Sequence, residues 1–285
     1  MKRLVFAVCL AFVAFSAKAE TGDEDKNMFN HLGVGIEVGT TGIGFDLAAP
    51  IGNYVQVRAG MSFMPTIKVK DIDVDINGVN DDWNQFKNMI SSSPDLYPEA
   101  QKYKNVDLPH DLLIDGKISM TDFKLLFDVY PSKKSSFHFT AGFYAGKSQV
   151  VEAYTTNCAE NLEAVTYYNK VFAPQYGMEK IGVELGDYLL EPNGSVARAY
   201  LKTSGFKPYL GIGFGRAVPK TKRVSFACDL GVQFWGTPKI YMDQPGGEVR
   251  LQDEGLDGDG GKIVKTISKI TVWPCLSFRI NGRIF

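Results

Sequence analysis

Polarity alternates with a period of two in stretch after stretch of this chain, and each stretch of about ten residues ends in a tight turn or a long polar loop. Leu32, Val34, Ile36 and Val38 stand against Gly33, Gly35, Glu37 and Gly39. After Thr40-Thr41-Gly42, the set Ile43, Phe45, Leu47 and Ala49 opposes Gly44, Asp46 and Ala48. Beyond Pro50-Ile51-Gly52-Asn53, the set Val55, Val57, Ala59, Met61 and Phe63 opposes Gln56, Arg58, Gly60 and Ser62. Side chains two apart share one face of a strand, so each segment has an apolar face and a small or charged one. In a bilayer every backbone polar group must pair within the protein, so alternating strands can span only as a closed barrel.

The pattern returns from Thr121 to Tyr130, turns at Pro131-Ser132-Lys133-Lys134, and continues through Phe137, Phe139, Ala141 and Phe143. Leu210, Ile212 and Phe214 precede the turn Pro219-Lys220-Thr221-Lys222, and Val224 to Phe234 follow it. A last strand is expected from about Lys269 to Phe285. Short turns alternate with long segments (65–119, 152–203 and 243–266), the arrangement of a barrel whose short turns face the periplasm. The first external connection is the exception, at about three residues.

The N-terminus sets the compartment. Lys2 and Arg3 precede an apolar run from Leu4 to Phe15, and Ala17-Lys18-Ala19 offers small residues at the cleavage positions. Residues 1–19 therefore read as a secretory signal and 20–285 as the mature barrel domain. A spanning helix would need roughly 20 apolar residues, and Lys18 interrupts the run too early. Removing Lys2, Arg3 and Lys18 leaves 28 basic residues (31 − 3) against 32 acidic ones, a charge of −4 (28 − 32). No basic stripe argues for nucleic acid. Cys158, Cys228 and Cys275 lack the close spacing of a disulfide framework or a zinc site.

On the strands' inner faces fall Glu37, Asp46, Arg58, Asp122, Lys124, Asp128, Asp229, Lys269 and Arg279. An eight-stranded barrel is narrow enough for side chains to fill, so opposite charges can pair there as a plug. The glycines on the same faces leave room for the alternative, a narrow porin-like channel.

Lys207-Pro208-Tyr209-Leu210-Gly211-Ile212-Gly213-Phe214-Gly215, the basic turn after it, Asp229-Leu230-Gly231-Val232 and the terminal phenylalanine resemble the OmpA-like, porin-family group of outer-membrane β-barrel proteins. The resemblance covers the strands, roughly half the mature chain. It implies a small, usually eight-stranded barrel with no cofactor and no common catalytic residue. Such barrels end with apolar residues at alternate positions leading into the last aromatic. Here Asn281 and Arg283 hold those positions, and Phe278, Ile280 and Ile284 lie on the other phase. A bulge at Asn281-Gly282 would restore Phe285 to the lipid face as an assembly signal.

In the loops, Asp73-Val74-Asp75-Ile76-Asn77-Gly78 matches the first half of a calcium loop, but the twelfth position is Asn84 where a bidentate glutamate belongs. No metal site is assigned on Asp73, Asp75 and Asn77. The run Asp253, Glu254, Asp257 and Asp259 reads as a solvated loop. Trp83, Phe86 and Ile90 after Asn80-Asp81, and Leu162, Val165, Tyr168, Val171 and Phe172, recur at helical spacing and suggest two helices packed over the barrel mouth. Only His31, His110 and His138 are available to a lipid-modifying or proteolytic enzyme. Ser136, His138 and Thr140 share one face near the periplasmic turn, away from the bilayer surface where such sites lie, so no catalytic role is assigned.

The sequence thus reads as all-β: a closed antiparallel up-and-down transmembrane barrel of about eight strands in the outer membrane, with long external loops. Its expected partners are the lipid bilayer, the barrel assembly machinery and an extracellular ligand bound by the loops. The expected role is structural, binding or adhesive.

Overall fold

The computed structural model describes residues 29–74, 80–109, 112–185, 188–220, 222–252 and 265–284. The expected leader, Asp75 and Asn77 of the half calcium loop, His110, the acidic residues from Asp253 to Asp259, and Phe285 lie outside these residues. The strands in chain order are β1 (Gly33–Gly39), β2 (Gly42–Ile51), β3 (Val55–Val74), β4 (Leu112–Val129), β5 (Phe137–Gly146), β6 (Gln149–Thr155), β7 (Val183–Leu185), β8 (Tyr188–Leu190), β9 (Arg198–Lys202), β10 (Phe206–Phe214), β11 (Val224–Phe234), β12 (Lys239–Gln244), β13 (Gly247–Arg250) and β14 (Val272–Arg283).

Eight of these close on themselves. β1 pairs with β2, β2 with β3, β3 with β4, β4 with β5, β5 with β10, β10 with β11, β11 with β14, and β14 returns to β1, all antiparallel. Closure gives every strand of the ring two partners, so no edge is left with unpaired backbone groups. The alternation read from the sequence decides the faces. Ile36, Phe45, Phe63, Phe214, Phe226 and Phe278 point outward and are exposed, while Glu37, Asp46, Arg58, Lys124 and Arg279 are buried inside. At Gly60 the neighbouring strand passes so close that a Cβ would come within 2.6 Å of the Asp46 Cα.

The seam between the first and last strands corrects one expectation. β14 keeps unbroken register with both neighbours: Ile36 faces Ile280, Gly35 faces Asn281 and Gly33 faces Arg283 on one side, and Ser225 faces Asn281 on the other. There is no bulge at Asn281-Gly282. Asn281 stays inside, its Nδ2 donating to the Arg216 carbonyl at 3.1 Å, and the outward phase runs Phe278, Ile280, Ile284. An extra residue would have broken two ladders at once, which is why the strand runs straight.

On one side the sheet rises beyond the ring. The early part of β4 and the end of β3 continue upward, and β6, β9, β12 and β13 add to them in that order to form a wall. β2 pairs with β3 only as far as Phe63, and β1 and β2 meet at a short turn at Thr40-Thr41, so no wall stands above them. The strands expected to end at Phe63 and to begin at Thr121 are therefore longer than their alternation indicates. Register shifts at Met64/Ile67 and Val69/Ile72 bend β3 as it leaves the ring.

A helical cap covers the top of the wall's inner face. Helix α1 (Asn80–Ser92) begins with Asp81 and Asp82, favourable beside the helix N-terminus. Helix α2 (Ala159–Tyr167) runs through a π turn (Tyr168–Phe172) into the short α3 (Ala173–Tyr176). Trp83, Phe86 and Ile90 pack with Val165, Tyr168 and Phe172 in one buried cluster, with the Phe86 and Phe172 rings edge to face at 4.8 Å. Burial lifts the Tyr168 phenol to about 12, and its hydroxyl donates to the Glu179 carbonyl at 3.0 Å. Val171, expected on the buried face, is exposed. The wider π turn brings Phe172 back under Tyr168 in its place.

Because Phe86 sits at the centre of that cluster, Phe86→Ala should destabilise the cap by about 3–5 kcal/mol. Limited proteolysis should then cut within residues 80–109 and 159–185, while the ring keeps its strand-rich circular dichroism.

Candidate functional site in the ring interior

The inner face of the ring is a stack of charge. Arg58 on β3 reaches across the interior, with Nη2 2.7 Å from Asp128 Oδ1 on β4 and Nη1 3.1 Å from Asp229 Oδ2 on β11. One guanidinium fork thus ties together strands far apart around the ring. Lys124 sits between Glu37 Oε1 at 2.5 Å and Asp46 Oδ2 at 3.0 Å, joining β4 to β1 and β2. Higher up, Lys207 on β10 holds both oxygens of Asp122, at 2.7 and 2.9 Å. His138 Nε2 lies 2.9 Å from Asp229 Oδ1, and Thr140 donates to Asp128 Oδ1 at 2.8 Å.

Other groups fill the interior beyond these ion pairs. Towards the short turns, the Gln56 side chain accepts from the Tyr130 hydroxyl at 3.0 Å and the Val218 amide at 3.1 Å, and its Nε2 donates to the Val218 carbonyl. The Arg216 guanidinium lies 4.0 Å from the Tyr130 ring centroid. Among the charges, level with Arg58 and Lys124, Leu126, Tyr144, Tyr209 and Cys275 pack together, and towards the wall Met64, Met120, Val150 and Trp235 form an apolar layer.

Eight of the nine charges expected inside are brought together: Glu37, Asp46, Arg58, Asp122, Lys124, Asp128, Asp229 and Arg279 are all buried. Lys269 is not among them. It is exposed, because β14 starts only at Val272 and Lys269 belongs to the turn before it. Lys207 was missed, although it precedes Tyr209 by two and so shares its face; Pro208 between them hid the continuity. His138, given no catalytic role above, is a full member of this buried network. With these corrections the interior sets the carboxylates of Glu37, Asp46, Asp122, Asp128 and Asp229 against Arg58, Lys124, Lys207 and Arg279, with the buried Arg216 a further cation at the end towards the short turns.

The inward glycines lie against charged side chains. A Cβ at Gly44 would fall 2.6 Å from Glu37 Oε1, and one at Gly213 would fall 2.6 Å from His138 Nε2. Their absent side chains make room for the neighbours' charged groups. Arg279 is the loose member: its nitrogens stand 3.8 Å from Asp46 and 3.4 Å from Asp229, and none has a hydrogen-bond partner among the described residues. The arrangement can brace strands against one another. His138 is bound by a carboxylate on one side and by the exposed Ser136 only through that residue's backbone carbonyl, so the three-residue set Ser136, His138 and Thr140 is not assembled as a nucleophile and its base. Among the described residues no cluster of His, Cys, Asp and Glu is arranged to hold a metal ion.

No protein-family model matches the chain, and no curated protein matches it. Three solved structures share its general course. Acinetobacter baumannii CarO is 16% identical, covering 88% of this chain and 96% of its own, with a TM-score of 0.44. A. baumannii CarO2 is 15% identical, covering 90% and 99%, with a TM-score of 0.44. A major outer membrane protein from Thermus thermophilus is 14% identical, covering 89% and 98%, with a TM-score of 0.35. At such identities and scores, the functional reading rests on this chain's own residues.

Proposed function

We propose that this chain is an outer-membrane β-barrel protein whose lumen is closed by ion pairs and whose wall and cap, on the outer side, carry a binding, adhesive or envelope-supporting role. One observation carries the reading: the ring is inside out with respect to a water-soluble protein. Apolar side chains cover its outer face, with Ile36 64% and Phe226 74% exposed, while its charges are buried in its centre. That much contiguous exposed apolar surface is stable in lipid and aggregates in water. The chain is not an enzyme on this reading. Its partners are the bilayer, the assembly machinery that closes the ring, and a ligand outside the cell.

A narrow channel is the second reading, favoured by the loosely held Arg279 guanidinium in the middle of the lumen. Its ion pairs are longer than those of Arg58 and Lys124, so it is the least firmly held of the inward cations.

The mature chain should fractionate with the outer membrane and need detergent to stay dispersed; a soluble product of intact cells would overturn the proposal. In planar bilayers the purified protein should give little or irregular conductance, whereas large and reproducible steps would favour the channel. Arg58→Met takes the guanidinium that Asp128 and Asp229 share out of the buried network, so it should cost about 3–5 kcal/mol in urea unfolding from liposomes. Arg279→Met should cost clearly less, because no hydrogen bond is lost.

A further inference from the structure

On the inner face of the wall lies an open cavity of about 350 Å³ that plays no part in the ion-pair network. That volume falls in the range of small-molecule sites, roughly 300–1,000 Å³. Its floor is Trp235 and Trp273, stacked with their planes 3° apart and centroids at 4.8 Å. Ile118, Val151 and Leu201 form one side, and Ile267 and Ile270 the other. Ala153 and Ala199 also line it, with side chains small enough to leave it space.

Two further features define what fits. The apolar surface does not end at the cavity: Ile67 faces Ile118 in register and is 53% exposed, at the edge of β3 that β2 leaves uncovered. An elongated apolar molecule can therefore lie in the cavity and run out along this edge, above the short β1–β2 turn. Lys265 and Lys269 are both exposed on the same short segment as Ile267 and Ile270. A cavity lined almost wholly by hydrocarbon, with two exposed cations beside it, matches an alkyl chain that ends in an anion.

We propose that the cavity binds the chain of a free, single-chain anionic amphiphile, of which a long-chain carboxylate is the simplest. The inference does not depend on whether the lumen conducts.

The three tryptophans make the test direct, because two form the cavity floor and Trp83 lies in the cap core. The full mature chain, in nanodiscs of unlabelled phospholipid, would be titrated with a bromine-labelled long-chain fatty acid, bromine being a short-range quencher of indole emission. Quenching should saturate and spare the emission of a Trp235→Phe, Trp273→Phe double variant, in which only Trp83 remains. Ala199→Phe should weaken binding by roughly tenfold or more, about 1.4 kcal/mol, with Ala153→Leu as a second filling variant. Circular dichroism would confirm that each folds. Lys265→Glu with Lys269→Glu, on the surface, should weaken the carboxylate and leave the matching long-chain alcohol unaffected. Quenching that never saturates, that persists in both filling variants, or that arises only when the bromine is carried by the bilayer phospholipid would overturn the proposal. The last result would make the cavity a contact with membrane lipid.

Discussion

Arg58 is the hinge of the architecture. Its guanidinium spans the lumen between Asp128 and Asp229, and Asp229 in turn holds His138. A charge moved from water into a protein interior costs several kcal/mol, and the cost is offset only when its partners are close and well aimed. Here the partners come from β3, β4, β5 and β11, so the ion pairs form only when the ring has closed with its strands in register. A one-residue slip of any of these strands would send its charges to the outer face. The network therefore specifies the register as much as it stabilises the fold, and the glycines beside Glu37 and His138 are the space it requires.

Much of this was legible in the sequence. The alternation in β1, β2, β3, β5, β10 and β11 gave strand, face and inner charge together, because lipid outside and ion pairs inside impose opposite chemistry on successive residues. The helices of the cap were legible for a similar reason, their apolar residues falling at the helical period around Trp83, Phe86 and Tyr168.

What the sequence hid was hidden by interruptions of period. The shift at Met64/Ile67 changes the phase of β3, so Ile67 and Val69 did not read as its continuation. Pro208 concealed Lys207. Lys269 had the right phase but lay ahead of the first paired residue, since parity tells the face of a strand and not where pairing begins. The bulge at Asn281-Gly282 was inferred to turn one aromatic outward. The two ladders on either side of β14 outweigh a single side chain, and Asn281 and Arg283 keep the inner phase, where both hydrogen-bond to backbone carbonyls of the segment between β10 and β11.

Along β4 the same alternation reverses its chemistry. Through the ring, Asp122, Lys124 and Asp128 face inward and Phe123 and Phe127 outward; past Met120, Ile118 faces inward and Lys117 outward. The wall carries this reversal across its width: Lys117 stands against Glu152, and Lys202 pairs with Glu248 and covers the Tyr241 ring, all on the outer face. No change of fold accompanies the switch, since the strand runs through it. A surrounding medium that changes from hydrocarbon to water at the height of Met120 accounts for it, because each face is matched to what touches it. The apolar surface that lipid would cover around the ring must above that level turn inward, where helix α2 and the β7–β8 hairpin cover its upper part through Leu162, Val183 and Leu190. Below them, β1 and β2 have already ended. The open apolar cavity over the stacked tryptophans is the part of that inward face which the cluster of Leu162, Val183 and Leu190 leaves uncovered.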